Sequence, residues 1–319
     1  MTTDKKKLRI VFMGTPEFAV TILDGLVKAD YNIVGVITAP DRPAGRGRKL
    51  RTSAVKEYAL KHDLTILQPT NLKSEAFIET LEALKANLQV VVAFRMLPKV
   101  VWQMPEHGTF NLHASLLPNY RGAAPINWAV INGESKTGVT TFFIDEKIDT
   151  GHIIESAEID ILPDETAGEL HDKLMHLGKD LVLITVDKIE KGDASTYPQP
   201  EIENIRTAYK IHKETCKIDW NTDIDTIYNL IRGLSPYPGA WCELNNPEQV
   251  GTLKIYKVEK RLQDHNKKVG SILIENKEIV IAVENGLIVL QNLQLPGKKR
   301  MNAIDLLNGF EFHKNAFVS

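Results

Sequence analysis

Apolar and polar positions change their period along this chain, and the changes divide it into an α/β part and a β part. The run Leu8-Arg-Ile-Val-Phe-Met13 is nearly continuous in apolar residues and stops at Gly14, the pattern of a strand covered on both faces. Pro16 then suits the first turn of a helix. Asn32 to Thr38 predicts a second strand, and the apolar runs Leu64 to Leu67 and Leu88 to Phe94 predict two more. Helical spacing fills the gaps at Ser53 to Lys61 and Ser74 to Ala86. Strand and helix in alternation imply an α/β fold with a parallel sheet covered by helices. A longer helix, Thr166 to Lys191, lines up Leu170, Leu174, Leu177 and Leu181 as a core-facing stripe. Its His171 and His176 are five apart, off the i, i+4 spacing of helical metal ligands, so no metal is expected.

Chain breakers gather from Gly192 to Glu201, and the character then turns to β. Val250 to Val258, Gly270 to Ile274, Glu278 to Val283 and Leu287 to Leu290 are short β-rich runs that predict a small barrel. Asn285-Gly286 marks a two-residue hairpin turn. With 319 residues, the chain exceeds the usual size of one domain. The expected division is a first domain over 1–191, a linker over 192–206 and a second domain over 207–319.

Composition narrows the class. A hydrophobic share of 43% is that of an ordinary globular protein, and no apolar window reaches the length of a membrane span. Met1 to Lys7 is basic, yet no apolar stretch of signal-peptide length follows it. Cys216 and Cys242 stand far apart outside any metal or disulfide spacing, so a reducing, cytoplasmic setting is expected. The net charge of -2 conceals an asymmetry: residues 1–205 carry -5 and 206–319 carry +3. Lys298, Lys299 and Arg300, with Lys267 and Lys268, form local basic clusters suited to phosphate.

Period 2 over Gly108 to His113 puts Asn111 and His113 on one face of a strand, with Phe110 and Leu112 on the other. An amide that donates to a developing oxyanion and an imidazole that moves protons suit acyl transfer to an amine. Asp149, 31 residues beyond Pro118 in Ile-Asp-Thr-Gly, is the candidate carboxylate to orient the ring. The same Asp-Thr-Gly occurs in aspartic proteases, which need two such carboxylates sharing one proton, and this chain has one copy among βαβ units. In an open α/β sheet ligands bind beyond the carboxyl ends of the strands, which points to Phe94-Arg95-Met96-Leu97 and His113 to Pro118 as two walls of a pocket. Gly14-Thr15-Pro16 departs from the dinucleotide fingerprint Gly-x-Gly-x-x-Gly, so Gly14 reads as a turn residue.

Phe110-Asn-Leu-His-Ala-Ser-Leu-Leu-Pro-Asn-Tyr-Arg-Gly-Ala-Ala-Pro125, with Gly138-Val-Thr-Thr and Ile148-Asp-Thr-Gly151, resembles the signature of the methionyl-tRNA formyltransferases. Ala208-Tyr-Lys-Ile-His-Lys-Glu214, Ile218-Asp-Trp220 and Ile231 to Trp241 resemble the entry to that family's carboxyl-terminal domain, so the likeness covers nearly the whole chain. The resemblance implies a Rossmann-like catalytic domain followed by an oligonucleotide-binding-like (OB-like) barrel. It implies transfer of a formyl group from 10-formyltetrahydrofolate to the amino group of methionyl initiator tRNA; the sequence itself leaves the oligomeric state open, and a monomer is the expectation. It also implies Asn111, His113 and Asp149 at the catalytic positions and a folate loop at Ser115, Leu116, Leu117 and Pro118, facing Phe94, Arg95, Met96 and Leu97. At this second wall the chain is similar to glycinamide ribonucleotide formyltransferases, with Phe94-Arg95 where a Tyr-Gly pair is common.

Asp41 to Arg51 holds five basic residues and one acid around Gly45 and Gly47. Pro40 to Leu50 resembles the family's loop for the acceptor end of tRNA, which implies contacts from Arg42, Arg46, Arg48 and Lys49; Lys298, Lys299 and Arg300 are further tRNA-binding candidates on the ground of their clustered charge. Two other readings stay open: a UDP-aminosugar formyltransferase with the same three catalytic residues, and a non-catalytic RNA-binding module.

Overall fold

In the structure, a computed structural model, residues 7–44, 49–247 and 249–319 are described. Strand β1 (Arg9–Gly14) is buried from Ile10 onward because it lies between two parallel neighbours. It leads into α1 (Glu17–Lys28), β2 (Asn32–Ile37), a hairpin of β3 (Arg42–Ala44) and β4 (Lys49–Arg51), α2 (Ala54–Lys61), β5 (Ile66–Leu67) and α3 (Glu75–Ala83). Next come β6 (Leu88–Val92), α4 (Lys99–Trp102), β7 (Thr109–His113), β8 (Arg121–Gly122), α5 (Pro125–Ile131), β9 (Lys136–Phe143), β10 (Ile153–Asp160) and α6 (Ala167–Lys191). One seven-stranded sheet has the order β10-β9-β7-β6-β1-β2-β5. From β5 to β7 neighbouring strands are parallel, and β9 joins β7 antiparallel. This is the mostly parallel, Rossmann-like sheet expected from the alternation.

Several boundaries are tighter than the apolar runs suggested. The strand expected to reach Phe94 stops at Val92, since Ala93 turns into the left-handed region (φ 48°). The helix expected to reach Ala86 ends at Ala83, and Lys85 is left-handed (φ 49°). The basic stretch after β2 is partly ordered as the β3/β4 hairpin, pairing Arg42 with Arg51 and Ala44 with Lys49. Its base is fixed by Asp41, which accepts from Lys56 Nζ at 2.5 Å and from Gln68 Nε2 at 2.8 Å. Those two bonds, Lys56 first, hold the Asp41 carboxyl below its usual pKa.

After α6 the chain forms β11 (Thr207–Ala208), α7 (Ile224–Gly233), β12 (Ala240–Asn246), β13 (Gln249–Leu262), β14 (Ile272–Glu275), β15 (Glu278–Val283) and β16 (Gly286–Gln294). It ends with β17 (Met301–Asn302), α8 (Ala303–Leu307) and β18 (Phe317–Val318). The order β14-β15-β16-β13-β12-β18 is brought nearly to closure by an antiparallel bridge between Ser271 and Phe317. Hydrogen bonds from Val318 N to Gly270 O and from Ile272 N to Ala316 O, at 2.8 and 3.1 Å, reinforce that seam. The core is sealed by Ile224, Ile227 and Ile231, which recur along one stripe of α7 and pack with Leu253, Ile281 and Leu290. This antiparallel barrel is the second fold expected from the sequence.

Contacts divide the chain into two compact units that do not follow sequence order. One runs to Gly122 and resumes over Gly138–Ile159 and His171–Thr207; the other takes Ala123–Thr137, Asp160–Leu170 and Ala208–Ser319. The breaker-rich stretch 192–206 therefore packs with the first unit.

Candidate active site

β7 carries two of the three predicted residues. Its register sets Val91 of β6 and Phe142 of β9 on either side of Asn111, and Thr140 of β9 beside His113. Asn111 is half-buried, and among the described residues no hydrogen bond ties its amide. His113 is buried, 6% exposed. Its Nε2 lies 2.7 Å from the Tyr120 carbonyl oxygen, which can only accept, so Nε2 carries the proton. In the neutral ring Nδ1 is then the basic nitrogen, and it faces Asp149 Oδ2 at 3.7 Å. The structure thus brings His113 and Asp149 together from positions 36 apart in sequence.

The loop between His113 and Tyr120 is built around Thr140. Thr140 Oγ1 donates to Ser115 O at 2.7 Å and accepts from Leu117 N at 3.3 Å. Ser115 Oγ in turn donates to Asn119 O at 2.7 Å, and the Leu117–Pro118 bond is cis. Ser115, Leu117 and Pro118 are buried and Leu116 is half-buried. After the parallel strand β6, Leu97 is buried, Phe94 half-buried and Met96 exposed. Arg95 points its guanidinium to the carbonyls of Thr70, at 3.1 Å, and Pro69, so it fastens this wall to the chain after β5.

Asp149 sits at φ 54° in a turn whose backbone is tightly constrained. A Cβ on Gly151 would lie 1.7 Å from the Phe143 carbonyl oxygen, which explains the glycine of Asp-Thr-Gly by close approach. Asp149 Oδ2 accepts from Gly122 N at 2.9 Å. Gln199 Nε2 donates to both Asp149 O and Gly151 O at 2.9 Å, and its Oε1 accepts from Arg121 Nε and Nη2 at 3.1 and 2.5 Å. Sequence reasoning missed Tyr120, Thr140 and Gln199. Gly122 and Tyr120 act through backbone atoms, which leave no residue-type signal. Gln199 stands in Pro-Gln-Pro within the breaker-rich stretch, where only the composition of a linker is legible.

The predicted basic contacts are divided between the two units. Arg42 is exposed on β3, Lys49 belongs to β4, and Arg46 and Arg48 lie outside the described residues. Lys298 and Lys299 are exposed in the turn between β16 and β17. Arg300 is held by the protein itself, its guanidinium 4.3 Å from the Tyr256 ring centre and bonded to Asn292 Oδ1. Among the described residues no group of three or more His, Cys, Asp or Glu is arranged for a metal ion, and no helix is long and apolar enough to cross a membrane. Both cysteines are free and buried, and burial pushes the Cys242 thiol up to about 12, which leaves it protonated and a poor nucleophile.

Comparison with known proteins agrees with this geometry in both halves. Residues 8–186 match the formyl transferase family and residues 210–311 the carboxyl-terminal domain of formyl transferases. A methionyl-tRNA formyltransferase of Flavobacterium johnsoniae is 61% identical over 313 residues, covering 98% of this chain and 99% of the relative. One from Bacteroides fragilis is 55% identical, covering 96% of each chain. Among solved structures, HypX from Aquifex aeolicus in complex with tetrahydrofolic acid superposes with a TM-score of 0.63 at 16% identity, over 94% of this chain and 47% of that one. The N-formyltransferase from Helicobacter canadensis gives 0.59 at 20% identity, over 89% and 98%. Those two likenesses are likenesses of fold. On the identities across nearly all of its length, the chain belongs to the methionyl-tRNA formyltransferase family.

Proposed function

We propose that this protein transfers the formyl group of 10-formyltetrahydrofolate to the α-amino group of methionyl initiator tRNA, acting as a cytoplasmic monomer. The observation that carries the reading is the approach of His113 Nδ1 to Asp149 Oδ2 at the carboxyl ends of parallel strands, with Asn111 two positions earlier on β7, its amide without a hydrogen bond among the described residues. The loops that follow β6 and β7 have a composition that suits a folate. Phe94, Leu97, Leu117 and Pro118 are apolar, and the Asn111 amide is free to meet a carbonyl. When bound, the folate supplies an activated formyl carbon.

The residues divide the chemistry among them. A model α-amine has a pKa of about 8, and esterification of the methionine lowers it, so the neutral amine is available near pH 7. Asn111 donates to the oxygen on which charge develops as the amine adds, a contribution of about 3 kcal/mol for one such donor. Tyr120 O fixes the His113 tautomer, so Nδ1 takes the amine proton beside the Asp149 carboxylate and would return it to the folate nitrogen as that nitrogen's bond to the formyl carbon breaks. With both thiols buried, transfer is direct and passes through no acyl-cysteine. Arg42, Arg46, Arg48 and Lys49, with Lys298, Lys299 and Arg300, contact tRNA phosphates.

The test measures formyl transfer to charged initiator tRNA and to UDP-aminosugars in parallel. Transfer to the tRNA is expected, and transfer to the sugar alone would overturn the assignment. Replacing His113 by Ala is expected to abolish turnover and leave tRNA affinity within about twofold. Loss of tRNA binding in that variant would instead mark His113 as structural.

A further inference from the structure

Gln199 uses every hydrogen-bonding position of its side-chain amide. Both Nε2 hydrogens go to carbonyl oxygens, of Asp149 and Gly151, and both Oε1 lone pairs receive the Arg121 guanidinium. Carbonyls only accept and a guanidinium only donates, so the amide has one orientation that fits. The two segments it joins are the two that form the surroundings of the Asp149 carboxylate: the turn that bears it, and the chain next to Gly122, whose N–H donates to Oδ2. Asp149 also holds a left-handed backbone (φ 54°), a conformation that aspartate tolerates in turns.

We propose that Gln199 is a positioning residue for formyl transfer, latching the Asp149 turn to the Arg121-Gly122 segment so that the carboxylate faces His113 Nδ1. This rests on the reading of His113 and Asp149 given above. The residue belongs to a stretch whose composition suggests only a connector, yet its one amide ties together backbone on both sides of the acid. A glutamate in its place keeps the acceptor for Arg121 and turns its other oxygen on two carbonyl oxygens. It therefore separates a role at Arg121 from a role at Asp149.

The experiment compares full-length wild type, Gln199→Ala, Gln199→Glu, Asp149→Asn and Gln199→Ala/Asp149→Asn in formyl transfer to methionyl initiator tRNA with 10-formyltetrahydrofolate. Both Gln199 variants are expected to lose kcat about tenfold or more, with KM for either substrate within about threefold of wild type. The double variant is expected to be little slower than Asp149→Asn alone, because the latch works through that carboxylate. Wild-type kcat in either Gln199 variant, a change confined to KM, or multiplicative losses in the double variant would each overturn the proposal. Should Gln199→Ala fail to fold, Gln199→Glu, which keeps its bond to Arg121, carries the comparison. A wild type that formylates no methionyl-tRNA overturns the functional reading and this inference with it; an active wild type with unaffected Gln199 variants overturns this inference alone.

Discussion

At the scale of single residues, the candidate site depends on buried side chains that hold its backbone in place. Thr140 is fully buried and supplies a donor to Ser115 O and an acceptor to Leu117 N, so it sets the path of the loop from Ser115 to Pro118. Valine keeps its shape but strands a buried carbonyl and a buried N–H. Thr140→Val is expected to cost about 1 to 3 kcal/mol of stability and to raise KM for the folate, measured by denaturant unfolding and by steady-state kinetics. An unchanged unfolding midpoint would mean that the loop holds its path without the hydroxyl. Asn111 and His113 were legible in the sequence because period 2 assigns a strand's side chains to faces before any contact is known. The tautomer of His113 was not legible, since the Tyr120 carbonyl that fixes it is a backbone atom common to every residue type.

At the scale of elements, patterning found the type of each main segment and erred at its ends. The Asn285-Gly286 signal identified a real hairpin, but the register pairs Val283 with Gly286, so the turn residues are Glu284 and Asn285. Asn285 alone supplies the left-handed conformation (φ 58°), while Gly286 begins β16 where a Cβ would lie 2.8 Å from Arg261 O. The preceding hairpin turns on Asn276 and Lys277, both left-handed, and carries no glycine to announce it. The start of α6 was readable at Thr166, which with Glu169 forms a capping box: Glu169 Oε2 accepts from Thr166 N at 2.8 Å, and Thr166 Oγ1 accepts from Glu169 N at 3.3 Å. The bond from Thr166 N, followed by that from its hydroxyl, lowers the Glu169 pKa. A lowered carboxylate pKa stabilises the fold above the unfolded value and loses that contribution as pH falls through the folded one. Glu169→Gln is thus expected to lower Tm at neutral pH by more than it does in acid, the gap closing below about pH 4, the ordinary glutamate range. A gap that stays constant with pH in thermal scans would remove the ionised cap from the account.

At the scale of the whole molecule, a net charge of -2 hides the basic segments proposed to meet tRNA. Summed charge governs long-range approach, whereas each phosphate contact releases counterions locally, so the sum is a poor guide to a polyanion partner. The local geometry grades the candidates. Lys298 and Lys299 are exposed in a turn, and Arg42 is exposed on β3, so each is free to exchange water for phosphate. Arg300 already stacks on Tyr256, and its loss removes packing as well as charge. Each true phosphate contact contributes about 0.7 to 0.9 to the slope of log K against log salt, however the two compact units are arranged. Arg42→Ala is expected to lower that slope by about one contact, and Lys298→Ala with Lys299→Ala by about two. In both variants kcat at saturating tRNA should remain that of the wild type, because the three residues are proposed to bind phosphate and not to take part in the chemical step. A slope left unchanged in filter-binding titrations from low to physiological salt would assign the residues concerned to ordinary solvated surface. A fall in kcat at saturation would show instead that the basic segments act on the orientation of the acceptor end, and the phosphate-contact account would have to be abandoned.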